Sequence, residues 1–205
     1  MDPLTLLDVH NLTLLRGERL VQRDLSFRVA AGGMLSILGR NGAGKTSVLR
    51  AVAGLLEPQS GSIIWRLPAG RTVSSAEERG QFVGWLGHKD GVKSQLTACE
   101  NLRFHLNYYR RGGDIDDTLA STGLSHMRDL PAQYLSAGER RRLAFARLIL
   151  SQRPLWLLDE PLSTLDRQGK DLVRVAMGRH CSNGGIVLAA THEPLGDSGE
   201  ILELS

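Results

Sequence analysis

Gly39-Arg40-Asn41-Gly42-Ala43-Gly44-Lys45-Thr46 is the stretch that decides how the rest of the chain is read. In the pattern Gly-x-x-x-x-Gly-Lys-Thr the glycines let the backbone curl until successive N–H groups point into one concavity. A helix that begins there adds its partial positive charge. The pattern predicts that Lys45 bridges the β- and γ-phosphates of a nucleotide and that the Thr46 hydroxyl ligates Mg²⁺. The expected nucleotide contacts are Gly39, Arg40, Asn41, Gly42, Ala43, Gly44, Lys45 and Thr46, with Ser47 following. The apolar run Met34–Leu38 leads in as a strand, and Lys45–Ala53 leads out as a helix closed by Gly54 and Pro58. Such a loop implies a nucleoside triphosphate and Mg²⁺ but does not separate kinases, GTPases and motor ATPases.

Downstream, Leu155-Trp156-Leu157-Leu158 and Ile186-Val187-Leu188-Ala189-Ala190 read as fully buried parallel strands. The first delivers Asp159 and Glu160 to its carboxyl end, where open α/β sheets place their ligands. Asp159 is the expected holder of Mg²⁺, together with Thr46. Glu160, one residue on, is expected to orient the water that attacks the γ-phosphate in line. The second strand delivers Thr191 and His192 to the same edge, with His192 toward the γ-phosphate. Upstream, Leu4–Val9, Leu12–Leu15 and Leu25–Val29, broken by Arg16-Gly17-Glu18, read as antiparallel strands. Leu96 to Leu124 reads as helical, with Leu102, Leu106 and Tyr109 on one face and a break at Gly112-Gly113. A second helix is expected over Ala137–Leu150. The expectation is a single α/β domain over 1–205 with a helical insertion at about 94–150.

Leu135-Ser136-Ala137-Gly138-Glu139 precedes Arg140-Arg141-Arg142-Leu143. Ser136-x-x-Glu139 has the form of a capping box that opens a helix, and such a helix start is also an anion site. The three arginines read as its solvated or phosphate-facing first turn. With this motif the sequence resembles the nucleotide-binding domains of ATP-binding cassette (ABC) transporters. The phosphate loop, the helical insertion, the Leu135–Glu139 signature, Asp159-Glu160, Ser163-Thr164-Leu165-Asp166 and His192 follow one another in that family's order. The resemblance implies a P-loop ATPase core with a small antiparallel β subdomain and an inserted α-helical subdomain. It also implies a head-to-tail homodimer in which Ser136, Ala137, Gly138 and Glu139 of one copy close on the ATP of the other, with Asp166 in the loop between them. Glu139 stands where the family has Gln. The main phosphate contacts are expected from Ser136 and the backbone, so the change should be tolerated.

Two further departures bear on the site. His88 stands where many members carry a Gln, and an imidazole there can still reach a Mg²⁺-bound water. Arg16 stands where an aromatic ring stacks on adenine; it either stacks its guanidinium on the base or faces solvent. Trp85-Leu86-Gly87-His88-Lys89-Asp90-Gly91-Val92-Lys93, Leu96–Leu102 and Asn183–Leu195 resemble one branch, the ATPase subunits of the bacterial cytochrome c maturation system. That implies integral membrane permease subunits as partners (CcmB- and CcmC-like), gripped in part by Trp85–Leu96. It also implies a peripheral place on the cytoplasmic face of the bacterial inner membrane, and haem delivery or export as the task.

Composition agrees with this reading without forcing it. The 205 residues are 41% hydrophobic and 23% charged, with a net charge of +3. The sequence pI of about 9.1 fits a nucleotide, a membrane surface or nucleic acid equally. The start, Met1-Asp2-Pro3-Leu4-Thr5-Leu6, has neither the basic residues nor the long apolar run of a secretory signal. Cys99 and Cys181 have no metal-like spacing and read as free thiols. The six histidines are scattered and no Cys-x-x-Cys-His occurs, so no direct haem site is evident. Other ABC transporters are the nearest alternative. A soluble ABC ATPase acting on nucleic acid is a second, although no tandem cassette or long coiled coil occurs here and no nucleic-acid partner is expected. A phosphate-loop kinase is a third, and it leaves Leu135–Glu139 and Asp166 without a role.

Overall fold

Two strands at the amino-terminal end fold back on each other across Gly17, whose φ of 62° suits the tight reversal. They are β1 (Leu6–Arg16) and β2 (Arg19–Ala30). The computed structural model describes residues 3–73, 75–109, 113–196 and 199–204. The apolar runs Leu4–Val9 and Leu12–Leu15, expected as separate strands, fall from Leu6 onward in one strand with a bulge. Pairing with β2 slips between Val9 and Leu12, and Asn11 there has φ 45°. The bulge shifts the parity of the strand, so Leu7, Val9, Leu12 and Leu14 all reach the buried side.

β3 (Met34–Leu38) crosses to a second sheet and is followed by α1 (Lys45–Val52). β4 (Ser60–Arg66) and β5 (Thr72–Val73) return to the first, giving four antiparallel strands in the order β2-β1-β4-β5. After the short α2 (Ala76–Gly80) comes β6 (Val83–Leu86). The helical segment then holds α3 (Ala98–Tyr109), α4 (Ile115–Ser121) and α5 (Ala137–Ser151). Helix α3 starts at Ala98, two residues after the expected Leu96. Of the break expected at Gly112-Gly113, Gly112 lies outside the described residues, as does the side chain of Tyr109. β7 (Leu155–Asp159), α6 (Arg167–Ser182), β8 (Ile186–Ala190) and β9 (Glu200–Glu203) complete the chain. The second sheet is wholly parallel, in the order β6-β7-β8-β3-β9.

Both faces of this sheet are covered, which is why its central strands are apolar without alternation. Successive side chains still alternate in destination. Leu155 and Leu157 join the core shared with α1 and the antiparallel sheet, whereas Trp156 and Leu158 join the core under α5 and α6. In β8, Ile186, Leu188 and Ala190 divide from Val187 and Ala189 in the same way. Helix α5 lies between two clusters. Ala144, Phe145 and Leu148 face the sheet, while Leu143, Ala146 and Leu150 pack with Leu102 and Leu119 of α3 and α4. Among the described residues no helix is long and apolar enough to cross a membrane, and Cys99 and Cys181 are free.

Candidate active site

Because the sheet is parallel, the carboxyl ends of β3, β6, β7 and β8 open on one edge. The strand parity then selects which side each residue takes. Asp159 continues the set of Leu155 and Leu157, toward α1, and there its carboxylate meets the first turn of that helix. Thr46 Oγ1 lies 3.1 Å from both Asp159 carboxylate oxygens. The Asp159 side is buried, at 8% exposure. A hydroxyl held against a buried carboxylate at the mouth of an amide-lined loop offers hard oxygen donors, which fit a divalent cation such as Mg²⁺. Among the described residues no group of three or more His, Cys, Asp or Glu side chains could cage a metal alone. A Mg²⁺ ion does not require one, since it takes further oxygens from substrate phosphate and water.

The phosphate loop is braced by its own Lys45 and by β2. Lys45 donates from Nζ to Gly39 O at 2.6 Å and to Arg40 O at 3.5 Å, which holds its ammonium inside the loop. Gln22 of β2 donates to Ala43 O at 2.6 Å, tying the antiparallel sheet to the loop. Gly44 has φ 93°, and a Cβ there would sit 2.4 Å from Val21 Cγ1. Both the backbone conformation and the close approach of β2 therefore demand glycine.

A cleft of about 620 Å³ opens over this loop. Asn41, Gly42, Lys45 and Thr46 line it together with Asp159, Glu160 and His192, and so do Arg40, Gly44, Ser47 and His88. Gly39 and Ala43 serve instead through their carbonyls. His88, exposed after β6, reaches the cleft wall, as does Arg16, beside Arg19 and Arg50. Glu160 has φ 49°, a left-handed conformation rare for a glutamate. Its Oε1 lies 3.2 Å from His192 Nε2. Burial raises the Glu160 pKa above the ordinary 4.5, Asp159 adds to that rise, and His192, Lys45 and Arg141 oppose it.

The signature does not line this cleft. Ser136 and Ala137 are exposed on a separate surface, with Gly138 and Glu139 half-buried behind them. The capping box is complete: Glu139 N donates to Ser136 Oγ at 3.2 Å and Ser136 N donates to Glu139 Oε2 at 2.7 Å. A Cβ on Gly138 would come 3.2 Å from Thr164 O, so the helix start and the Ser163–Asp166 loop touch. Asp166 caps α6, accepting from Gly169 N at 2.7 Å.

The arginine run differs from its reading as a solvated first turn. Arg141 is 2% exposed and threads inward to the carboxyl end of β7. A triple-arginine string hides this, because only the helical phase distinguishes the middle residue. That phase puts Arg141 on the inner side of α5, one turn before the buried Phe145. Gln22, Arg19 and Arg50 also escaped the sequence reading; nothing in β2 or the end of α1 marks them as neighbours of the loop.

The ABC transporter family model matches residues 22–163. The chain is 44% identical over 193 residues to the "Cytochrome c biogenesis ATP-binding export protein CcmA" of Vibrio cholerae serotype O1, covering 93% of this chain and 92% of that protein. It is 46% identical over 188 residues to the protein of that name from Rhodopseudomonas palustris (strain HaA2), covering 90% of each. A putative ABC transporter ATP-binding protein from Pyrococcus furiosus shares the fold with a TM-score of 0.85 over 98% of both chains, at 22% identity. The chain thus belongs to the ABC transporter family and, within it, to the cytochrome c biogenesis ATP-binding export proteins.

Proposed function

We propose that this ATPase drives a membrane complex of cytochrome c maturation that delivers or exports haem, from the cytoplasmic face of the bacterial inner membrane. In this reading Lys45 leaves its loop carbonyls to bridge the β- and γ-phosphates, which the loop amides cradle. Thr46 and Asp159 hold Mg²⁺, whose charge offsets that of the phosphates when it is bound. Glu160 orients the attacking water, His192 contacts the γ-phosphate, and His88 reaches the same region from β6. One observation carries the reading. The Thr46–Asp159 contact and the Glu160–His192 pair face one cleft over a phosphate loop.

The site is half of what hydrolysis needs, because Ser136–Glu139 stand outside it on an exposed helix start. A second copy, set head to tail, brings them to the γ-phosphate, so ATP joins a two-fold dimer with two sites. Integral membrane permease subunits of the CcmB and CcmC kind dock along Trp85–Leu96 and the neighbouring face of α3. Phe104 and Tyr108 are 47% and 75% exposed there, and Lys93 Nζ lies 4.5 Å above the Phe104 ring. Affinity capture from bacterial membranes tests the reading. Integral membrane proteins should accompany the chain, with ATP hydrolysis in the captured complex. Recovery of the chain alone from cells that express those partners counts against it.

A further inference from the structure

Glu160 departs from ordinary strand geometry at the point where its aim matters, and one buried side chain holds both peptide planes around it. Arg141 Nη2 donates to Asp159 O at 2.6 Å and to Glu160 O at 2.8 Å. These carbonyls belong to the peptides immediately before and after the Glu160 Cα, so fixing both sets the φ and ψ of Glu160. A left-handed glutamate costs on the order of 1 kcal/mol and persists only where neighbours over-determine it. The other arm of the fork points to the loop after β6. Arg141 Nη1 donates to Gly87 O at 2.8 Å and to Asp90 Oδ1 at 2.9 Å.

The loop end of this connection is itself clamped. Arg147, further along α5, donates to Gly91 O at 2.7 Å and also to Asp90 O. Asn101 of α3 accepts from Lys93 N at 2.8 Å and donates back to Lys93 O at 3.0 Å. The segment 87–93 is therefore not a slack connection. It is held on α5 and α3, and Arg141 is the point where it meets the acidic strand end.

We infer that Arg141 is a positioning residue for hydrolysis: its guanidinium holds Glu160 in the left-handed conformation and ties that conformation to the loop Gly87–Asp90. The inference rests on the reading of Glu160 as the group that orients water. It gives Arg141 no contact with nucleotide, so it predicts an effect on turnover without one on ATP binding. A planar fork is required, because an ammonium cannot donate in fixed directions to two carbonyls and to a second loop together.

The test is Arg141→Lys in the full chain captured with its membrane partners, with and without Glu160→Gln. Expected for Arg141→Lys alone is a fall in kcat of about 10- to 100-fold, with KM for ATP within about twofold. In the Glu160→Gln background the same change should add no further loss in single-turnover rate, since it acts through a group already removed. A kcat within twofold of wild type, or an equal fold-loss in both backgrounds, overturns the inference. If Arg141→Lys does not fold, Asp90→Asn takes its place by loosening the loop arm alone. It should lower kcat several-fold at unchanged KM, and an unchanged kcat overturns the inference. Wild-type turnover in Glu160→Gln would remove the reading of Glu160 and this inference with it. A dead Glu160→Gln beside an unimpaired Arg141→Lys removes the inference alone.

Discussion

Glu160 combines a burial-raised pKa, a left-handed backbone and a histidine partner, and each has a measurable consequence. Glu160→Gln should keep ATP binding and lower kcat by about 10²- to 10⁴-fold, checked by nucleotide titration beside phosphate release. If Glu160 orients water as proposed it must be ionised to act, so kcat/KM for ATP, which reports the free enzyme, should fall as pH drops through the raised pKa, at a higher pH than for an ordinary glutamate. Stability runs the opposite way. With the folded pKa above 4.5 the folded state holds the proton more tightly, so stability is lost as pH rises through that value. Glu160→Gln should therefore melt higher than wild type near neutral pH and equally below 4.5, which thermal scans at two pH values will show. His180 and His105 act in the other sense. Burial, the largest cause for both, lowers them from 6.5 to about 4; Arg147 and Lys93 reinforce it at His105, and backbone hydrogen bonds oppose it at His180. The unfolded chain takes up these protons below 6.5 while the folded chain does not. Stability is thus full above 6.5 and declines as pH falls toward 4, and His180→Gln should flatten that decline in denaturant midpoints measured across the window.

Helix α5 shows at the scale of an element what the sequence discloses and what it withholds. Its start is legible because a capping box is local chemistry, spaced by one helical turn, and Ser136→Ala should cost about 1 kcal/mol of stability by chemical denaturation. Its inner face is legible in part. Phe145 is 1% exposed and meets Trp156 edge-on at 5.4 Å, so Phe145→Ala should cost about 3–5 kcal/mol in the same measurement. Arg141 is illegible as a buried group, since three of its four partners are backbone carbonyls that carry no residue signature and the fourth, Asp90, lies 51 residues away in the chain. β7 and β8 are readable for another reason: their apolar runs are short for a helix and fit buried strands. β5 and β9, at two and four residues, offer no period to read. The bulge in β1 escapes for a related reason: a parity change between Val9 and Leu12 looks like the end of one strand and the start of another. Phosphate loop, acidic strand end and histidine are ordered correctly in the sequence because each follows its own strand. The bracing of the loop by Gln22 and Val21 comes from the antiparallel sheet folding over it, which only the tertiary structure displays.

Over the whole molecule, the separation of Ser136–Glu139 from the cleft predicts association controlled by nucleotide. Glu160→Gln with ATP and Mg²⁺ should sediment as a dimer, and should return to monomer when EDTA removes the metal; analytical ultracentrifugation reads both. The order of the parallel sheet carries a different consequence, one of timing. Strand β3, which launches the phosphate loop, pairs only with β8 and β9, so Met34 meets Val187 and Leu35 meets Glu200. Among the described residues, no strand made in between is its sheet neighbour in the finished fold. At ribosomal speeds of about 5–20 residues per second, roughly ten to thirty seconds pass between the appearance of β3 and that of its partners. Throughout that interval a nascent chain carries an apolar strand with two open edges beside an unfinished glycine loop. On the proposed reading, nucleotide should therefore aid folding only late, once β8 and β9 have arrived to seat the strand that launches the loop.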